Sequence, residues 1–147
     1  MPELDQSAPD FTLTDADGQA FSLSDQRGQR LLLVFYPGDD TPVCTRQLCD
    51  YRDGVEQFAD LGVQVVGISA DDEASHRAFR DKHQLPFVLL SDPDLAVAEQ
   101  YGCKGLIGMK RGVFLLDESH TVRYRHVEAV AMFRRKRDEL LQAIESL

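Results

Sequence analysis

Leu31-Leu32-Leu33-Val34-Phe35-Tyr36-Pro37-Gly38-Asp39-Asp40-Thr41-Pro42-Val43-Cys44-Thr45-Arg46-Gln47-Leu48-Cys49-Asp50-Tyr51-Arg52 is the stretch that decides how this chain folds. It opens with a continuous apolar run, Leu31 to Tyr36, stopped by Pro-Gly. Such a run reads as a strand buried on both faces, as in the middle of a parallel sheet. Past the stop the period changes. Cys44, Leu48, Tyr51, Val55 and Phe58 recur at spacings of four and three, which is one face of an α-helix. Thr41 stands where an N-cap is expected, and Pro42 at the first helical position, where its missing N–H costs nothing. Cys44 therefore falls in the first helical turn of a strand–loop–helix unit. Free amides and the positive end of the helix dipole favour an anion there, and the thiolate is the reactive form of cysteine. The competing reading of the same position is a buried, inert thiol.

Working outward, Phe11-Thr12-Leu13 and Ala20-Phe21-Ser22-Leu23 flank the turn residues Asp15-Ala16-Asp17-Gly18 and read as a hairpin. Ser24 to Gly28 leads from it into the central strand. Beyond the Cys44 helix, Val63-Gln64-Val65-Val66-Gly67-Ile68-Ser69 is a second β-branched run, expected to pair in parallel. Asp71-Asp72-Glu73 can cap a helix through about His83. Phe87 to Leu90 is a short strand, and Asp92-Pro93-Asp94 opens a helix through about Tyr101. Gly112 to Asp117 and Val122 to Arg125 form a hairpin around Glu118-Ser119-His120. A final helix is expected from Met132 to Leu147, with Phe133, Leu140, Ile144 and Leu147 as its buried stripe. Strands alternating with helices predict an α/β chain with a mixed sheet.

The chain has 147 residues, which suits one domain, 1–147, with a substantial core. A formal net charge of −9 argues against nonspecific binding to nucleic acid or to an anionic membrane surface. No stretch approaches the ~20 apolar residues of a membrane-spanning helix. Met1-Pro2-Glu3-Leu4-Asp5 has neither a basic n-region nor an apolar h-region, so a cytoplasmic location is expected. In that setting the three cysteines are expected to be reduced or redox-active, not a structural framework. His76, His83, His120 and His126 do not combine with the cysteines at zinc-ligand spacing, so no metal site is expected. Arg134-Arg135-Lys136-Arg137 reads as the solvated face of the last helix.

The spacing Pro37-x-x-x-Thr41-x-x-Cys44 resembles the active-site motif of the peroxiredoxins, and the likeness runs from Ala8-Pro9-Asp10-Phe11 to the C-terminal helix. The resemblance implies a thioredoxin fold with an N-terminal β-hairpin extension and a central mixed sheet flanked by helices. It makes Cys44 the peroxidatic cysteine, Thr41 the hydroxyl residue that contacts thiolate and peroxide, and Pro37 the shield of the pocket. Cys49 looks like the resolving cysteine of the peroxiredoxin Q subgroup, also called bacterioferritin comigratory protein. Arg111, three residues before Phe114-x-x-Asp117, matches the family's arginine, which stabilises the thiolate and hydrogen-bonds peroxide; without the resemblance it reads as a solvated strand-end residue beside Lys110.

The implied activity is thiol-dependent reduction of hydrogen peroxide and organic hydroperoxides, of the atypical 2-Cys type. It passes through a Cys44 sulfenic acid and a disulfide to Cys49, and a thioredoxin-like dithiol recycles the enzyme. No metal, haem or flavin is implied, and the chain is expected to be a monomer or at most a weak dimer. If Cys44 and Cys49 share one helix, their Cα atoms lie about 9 Å apart, beyond the ~7 Å reach of a disulfide. The first turns must then unwind on oxidation, at little cost if the flank of Asp50, Arg52 and Asp53 is only polar surface. Cys103 reads as a bystander thiol, or else as an alternative resolving cysteine or an intermolecular partner. Two other functions fit less well. A thioredoxin-like disulfide oxidoreductase is expected to carry C-x-x-C, and a non-enzymatic redox sensor would not turn over.

Overall fold

A computed structural model of the chain describes residues 2–128 and 134–147. Seven strands form one sheet: β1 (Thr12–Asp15), β2 (Ala20–Ser22), β3 (Arg30–Phe35), β4 (Val63–Ser69), β5 (Val88–Ser91), β6 (Gly112–Leu116) and β7 (Val122–Val127), in the spatial order β2-β1-β5-β4-β3-β6-β7. Strands β3, β4 and β5 are parallel; β6 and β7 extend the sheet antiparallel on one side, and the β1–β2 hairpin extends it on the other. The helices are α1 (Pro42–Asp53), α2 (Val55–Asp60), α3 (Glu73–His83), α4 (Ala96–Gln100) and α5 (Arg137–Glu145). The mixed sheet between helices is the expected one.

The apolar run of β3 explains the two-sided core. Leu31, Leu33 and Phe35 point to one face, where they meet Val66, Ile68, Phe114, Leu116 and Tyr101. Leu32 and Val34, with Tyr36 just beyond, point to the other, against Cys44, Leu48, Tyr51, Val65, Val113 and Leu115. Strand side chains alternate, so one uninterrupted run supplies both layers. Fully burying a side chain of this size contributes roughly 1.5–3 kcal/mol, which makes β3 the main anchor of the fold.

Three elements differ from the sequence reading. The stripe from Cys44 to Phe58 is not one helix. It breaks at Gly54, where an added Cβ would collide with the Arg137 side chain. The helix opened by Asp92 starts late because Leu95 is left-handed, with φ 60°; the Asp92 carboxylate still accepts from the amides of Val97 and Ala98. The last helix begins at Arg137, and Leu140 and Ile144 are buried as expected. Met132 and Phe133 lie outside the described residues, and Leu147 lies past the helix, 36% exposed. Asp72 does cap α3, accepting from the Ser75 amide.

Arg134 to Arg137 is not a solvated helix face. Arg134 and Arg137 pair with Asp50, Arg135 pairs with Glu128 and Glu139, and the Arg137 amide donates to Asp50. The Tyr51 hydroxyl donates to the Arg135 carbonyl at 2.5 Å. This segment straps the second half of α1 to the body of the protein.

Candidate active site

The loop between β3 and α1 lies outside the carboxyl ends of the parallel strands, where open α/β sheets present their ligand sites. Thr41 has the extended backbone of an N-cap, φ −82° and ψ 151°, and Pro42 follows at the first helical position. The side-chain cap expected of Thr41 is not made: its hydroxyl turns back and donates to the Gly38 carbonyl at 3.0 Å. Asp40 just before it is left-handed, φ 58°, a conformation that costs a non-glycine residue on the order of 1–3 kcal/mol and persists only where its surroundings enforce it. Its carboxylate lies within bonding distance of Lys82 and His83 on α3, whose hydrogen bonds hold its pKa below the usual carboxylate range.

Cys44 is fully buried against the sheet. The structure brings Arg111 to it: the guanidinium donates to Sγ at 3.2 Å and to the Gln47 side-chain oxygen at 2.6 Å. Arg111 is itself 2% exposed, so the reading of a solvated strand-end arginine does not hold. Strand parity explains the contact. Arg111 sits two residues before Val113, on the α1 side of the sheet. Gln47 is the residue the sequence reading missed. It is fully buried one turn after Cys44 and donates on to the Tyr51 hydroxyl at 3.1 Å. A polar side chain inside the stripe Cys44, Leu48, Tyr51 was its available signal. The hydrogen bonds thus run Arg111–Gln47–Tyr51–Arg135, fixing the fork of the guanidinium. Pro37 is half-buried at the start of the loop, and the exposed residues nearest Cys44 in sequence are Pro42 and Arg46.

Cys49 lies on the same intact helix and is a free thiol, as are Cys44 and Cys103. It lines an open recess of about 410 Å³ with Arg46, Asp50, Asp53, Arg134 and Arg137. The flank beside it is not the loose polar surface expected from Asp50, Arg52 and Asp53. Asp50 is held by the Arg134–Arg137 strap, and Arg52 donates to the His83 carbonyl at 2.7 Å. Leu48 and Tyr51 are fully buried. Among the described residues the turn from Pro42 to Arg46 has no side-chain tie to the strap or to α3, and its hold on the body is the Arg111 bond to Cys44. Cys103 is on the opposite face of the sheet, packed with Phe35, Tyr101 and Phe114. Burial pushes its thiol up to about 12, against the weaker pull of Lys110 and Arg125. Among the described residues no three His, Cys, Asp or Glu side chains gather as metal ligands, and no helix is long and apolar enough to cross a membrane.

Known proteins resemble this chain in sequence and fold. The family model described as AhpC/TSA family matches residues 4–125. Peroxiredoxin bcp of Coxiella burnetii is 44% identical over 128 residues, 82% of this chain and 85% of that protein. Peroxiredoxin Q, chloroplastic, of Oryza sativa subsp. japonica is 46% identical over 121 residues, 80% of this chain and 56% of that protein, so the chain spans little more than half of it. Among solved structures, peroxidoxin BcpB from Mycobacterium tuberculosis has a TM-score of 0.91 at 30% identity, covering 100% of this chain and 99% of that one. The bacterioferritin comigratory protein of Xanthomonas campestris has a TM-score of 0.83 at 26% identity, covering 92% and 90%. With a thioredoxin-like sheet, a cysteine at the head of α1 and an arginine bonded to its sulfur, the chain belongs to the AhpC/TSA family as a peroxiredoxin of the bcp and Q kind.

Proposed function

We propose that the chain is a thiol peroxidase of the atypical 2-Cys type, working as one domain on hydrogen peroxide and organic hydroperoxides. The observation that carries this is the 3.2 Å bond from the buried Arg111 guanidinium to Cys44 Sγ. A permanent positive charge in a desolvated site stabilises negative charge on the sulfur, and its second N–H is fixed on Gln47. The Cys44 thiolate attacks the terminal peroxide oxygen. The S–O bond forms, the O–O bond breaks, and the departing oxygen takes a proton to leave as water or an alcohol. Thr41 and Arg111 orient the peroxide, and Pro37 covers one side of it.

Cys49 then condenses with the Cys44 sulfenic acid, releasing water and forming a disulfide. A thioredoxin-like dithiol reduces that bond by thiol–disulfide exchange, so both electrons come from the dithiol. Because the two cysteines lie on one helix, this step requires α1 to open. The ties on Asp50, Tyr51 and Arg52 confine the opening to the turn from Pro42 to Arg46. The test is sulfenic acid trapping. Cys49→Ser is expected to reduce one equivalent of peroxide and to retain a trappable sulfenic acid at Cys44; Cys44→Ser is expected to consume none. A sulfenic acid trapped at Cys49 or Cys103 in the wild type would overturn the assignment.

A further inference from the structure

Behind the loop that precedes Cys44 lies a polar cluster that the peroxide chemistry does not yet use. The Asp39 side chain is 4% exposed and the His76 side chain 0%. One Asp39 oxygen accepts from the Tyr36 hydroxyl at 2.6 Å; the other accepts from the Ser75 hydroxyl at 2.8 Å and lies 2.7 Å from His76 Nδ1. Across the ring, His76 Nε2 is 3.0 Å from the Leu90 carbonyl oxygen. A carbonyl only accepts, so Nε2 carries a hydrogen. Nδ1 then faces a carboxylate at hydrogen-bond distance, where two bare acceptors would repel. One further proton therefore lies between Nδ1 and Asp39, and the pair is buried with no uncompensated charge.

The cluster fastens the loop on every side. The Asp39 amide donates to Asp71 at 2.8 Å, and the same Asp71 oxygen accepts from the Ser69 hydroxyl at 2.7 Å. Asp40 is tied to Lys82 and His83. Burial first, and the Asp39 charge second, keep the Tyr36 hydroxyl protonated and donating. The charged and titratable groups around the pair are thus Tyr36 at the end of β3, Asp71 after β4, and Asp40, Lys82 and His83 at the rim. The loop so held includes Gly38, whose carbonyl takes the Thr41 hydroxyl, and it runs directly into the first turn of α1.

We propose that Asp39 and His76 are positioning residues for the peroxide step: the hydrogen bond between them seats the Gly38–Thr41 loop on α3 and holds Thr41 and the first turn of α1 where Cys44 can meet a peroxide. Neither residue touches the reacting atoms, and the inference rests on Cys44 being the nucleophile. A reacting geometry disturbed by about 1 Å costs on the order of 10²-fold in rate.

The test compares two reactions of Cys44 in the full chain, oxidation by hydrogen peroxide and alkylation by iodoacetamide. Alkylation needs the thiolate but not the placement of Thr41. Asp39→Ala is expected to slow the peroxide reaction by roughly 10- to 100-fold while changing alkylation far less. Asp39→Asn is the conservative rescue. Its amide N–H can donate to a bare His76 Nδ1 and its oxygen can accept from Tyr36, so the loop is fastened without the shared proton and most of the loss is recovered. His76→Phe reproduces the loss, and combining it with Asp39→Ala adds little, as expected for one unit. Should Asp39→Ala not fold, Ser75→Ala takes its place, with a smaller fall in the same ratio. An unchanged ratio in the alanine variant, a parallel fall of both rates, or an Asn variant as slow as the Ala variant overturns the proposal. Peroxide consumption by Cys44→Ser, run alongside, would instead remove the nucleophile assignment beneath it.

Discussion

Cys44 and Cys103 are equally buried, on opposite faces of the same sheet, and their surroundings separate them. Cys44 heads a helix and receives a guanidinium N–H on its sulfur. Cys103 follows α4 in a layer of aromatic rings, and a Cβ at Gly112 would come within 2.7 Å of its sulfur. Burial alone therefore says nothing about reactivity. A desolvated thiol stays protonated unless a fixed charge or a helix end compensates the thiolate. The sheet lies between the two, so a Cys44–Cys103 bond within one chain would have to cross it.

The largest expected effect breaks the comparison from the Cys44 side. Arg111→Ala is expected to slow peroxide reduction by roughly 10²–10³-fold, the usual loss when one preorganised donor is removed. Stopped-flow oxidation of the reduced protein measures it, and an unaltered rate would show that the 3.2 Å contact carries no chemistry.

Gly112→Ala attacks the Cys103 side. The new methyl meets Cys103 Sγ at 2.7 Å, Val127 at 3.4 Å and Phe114 at 3.5 Å in a filled core. Overpacking of this kind costs about 1–3 kcal/mol in urea unfolding. Adding Cys103→Ala should recover part of that loss, and additivity of the two changes would disprove the clash.

A third expectation concerns how far each region opens. In the disulfide form, hydrogen exchange should rise for amides from Val43 to Arg46 and stay slow at Tyr51 and Arg52, which the strap and the His83 carbonyl hold. Uniform loss along α1 would mean that the strap releases as well.

The smallest effect is on Cys103 itself. Cys103→Ala should leave the peroxide rate within experimental scatter while altering the alkaline stability curve. Its ordinary value is 9.0 and its folded value about 12, so the folded state keeps a proton that the unfolded state loses. The stability tied to that proton is complete below pH 9.0 and is lost as pH rises toward about 12. Chemical denaturation across that window should show a shallower decline in the variant, and identical curves would place the thiol in contact with solvent.

Much of this was legible in the chain. The run from Leu31 to Tyr36, apolar throughout and stopped by Pro-Gly, reads as a strand with two buried faces. Thr41-Pro42 ahead of the helical stripe reads as a helix start, and that placed Cys44 in the first turn, where the structure has it. These are local facts, set by side-chain period and backbone restriction. What tertiary structure decided involves partners distant in sequence. Arg111 is 67 positions from Cys44, and only the pairing of β3 with β6, combined with strand parity, brings it to the sulfur. Asp39 and His76 are polar residues whose burial no local pattern announces, and Gln47 showed only as a polar side chain inside an apolar stripe; each is satisfied by a group elsewhere in the chain. The break at Gly54 and the strap from Arg134 to Arg137 arise the same way. Arg137 occupies the space over the glycine and Asp50 holds the strap, so a sequence that reads as exposed helix is drawn against α1 by contacts that exist only once the chain has folded.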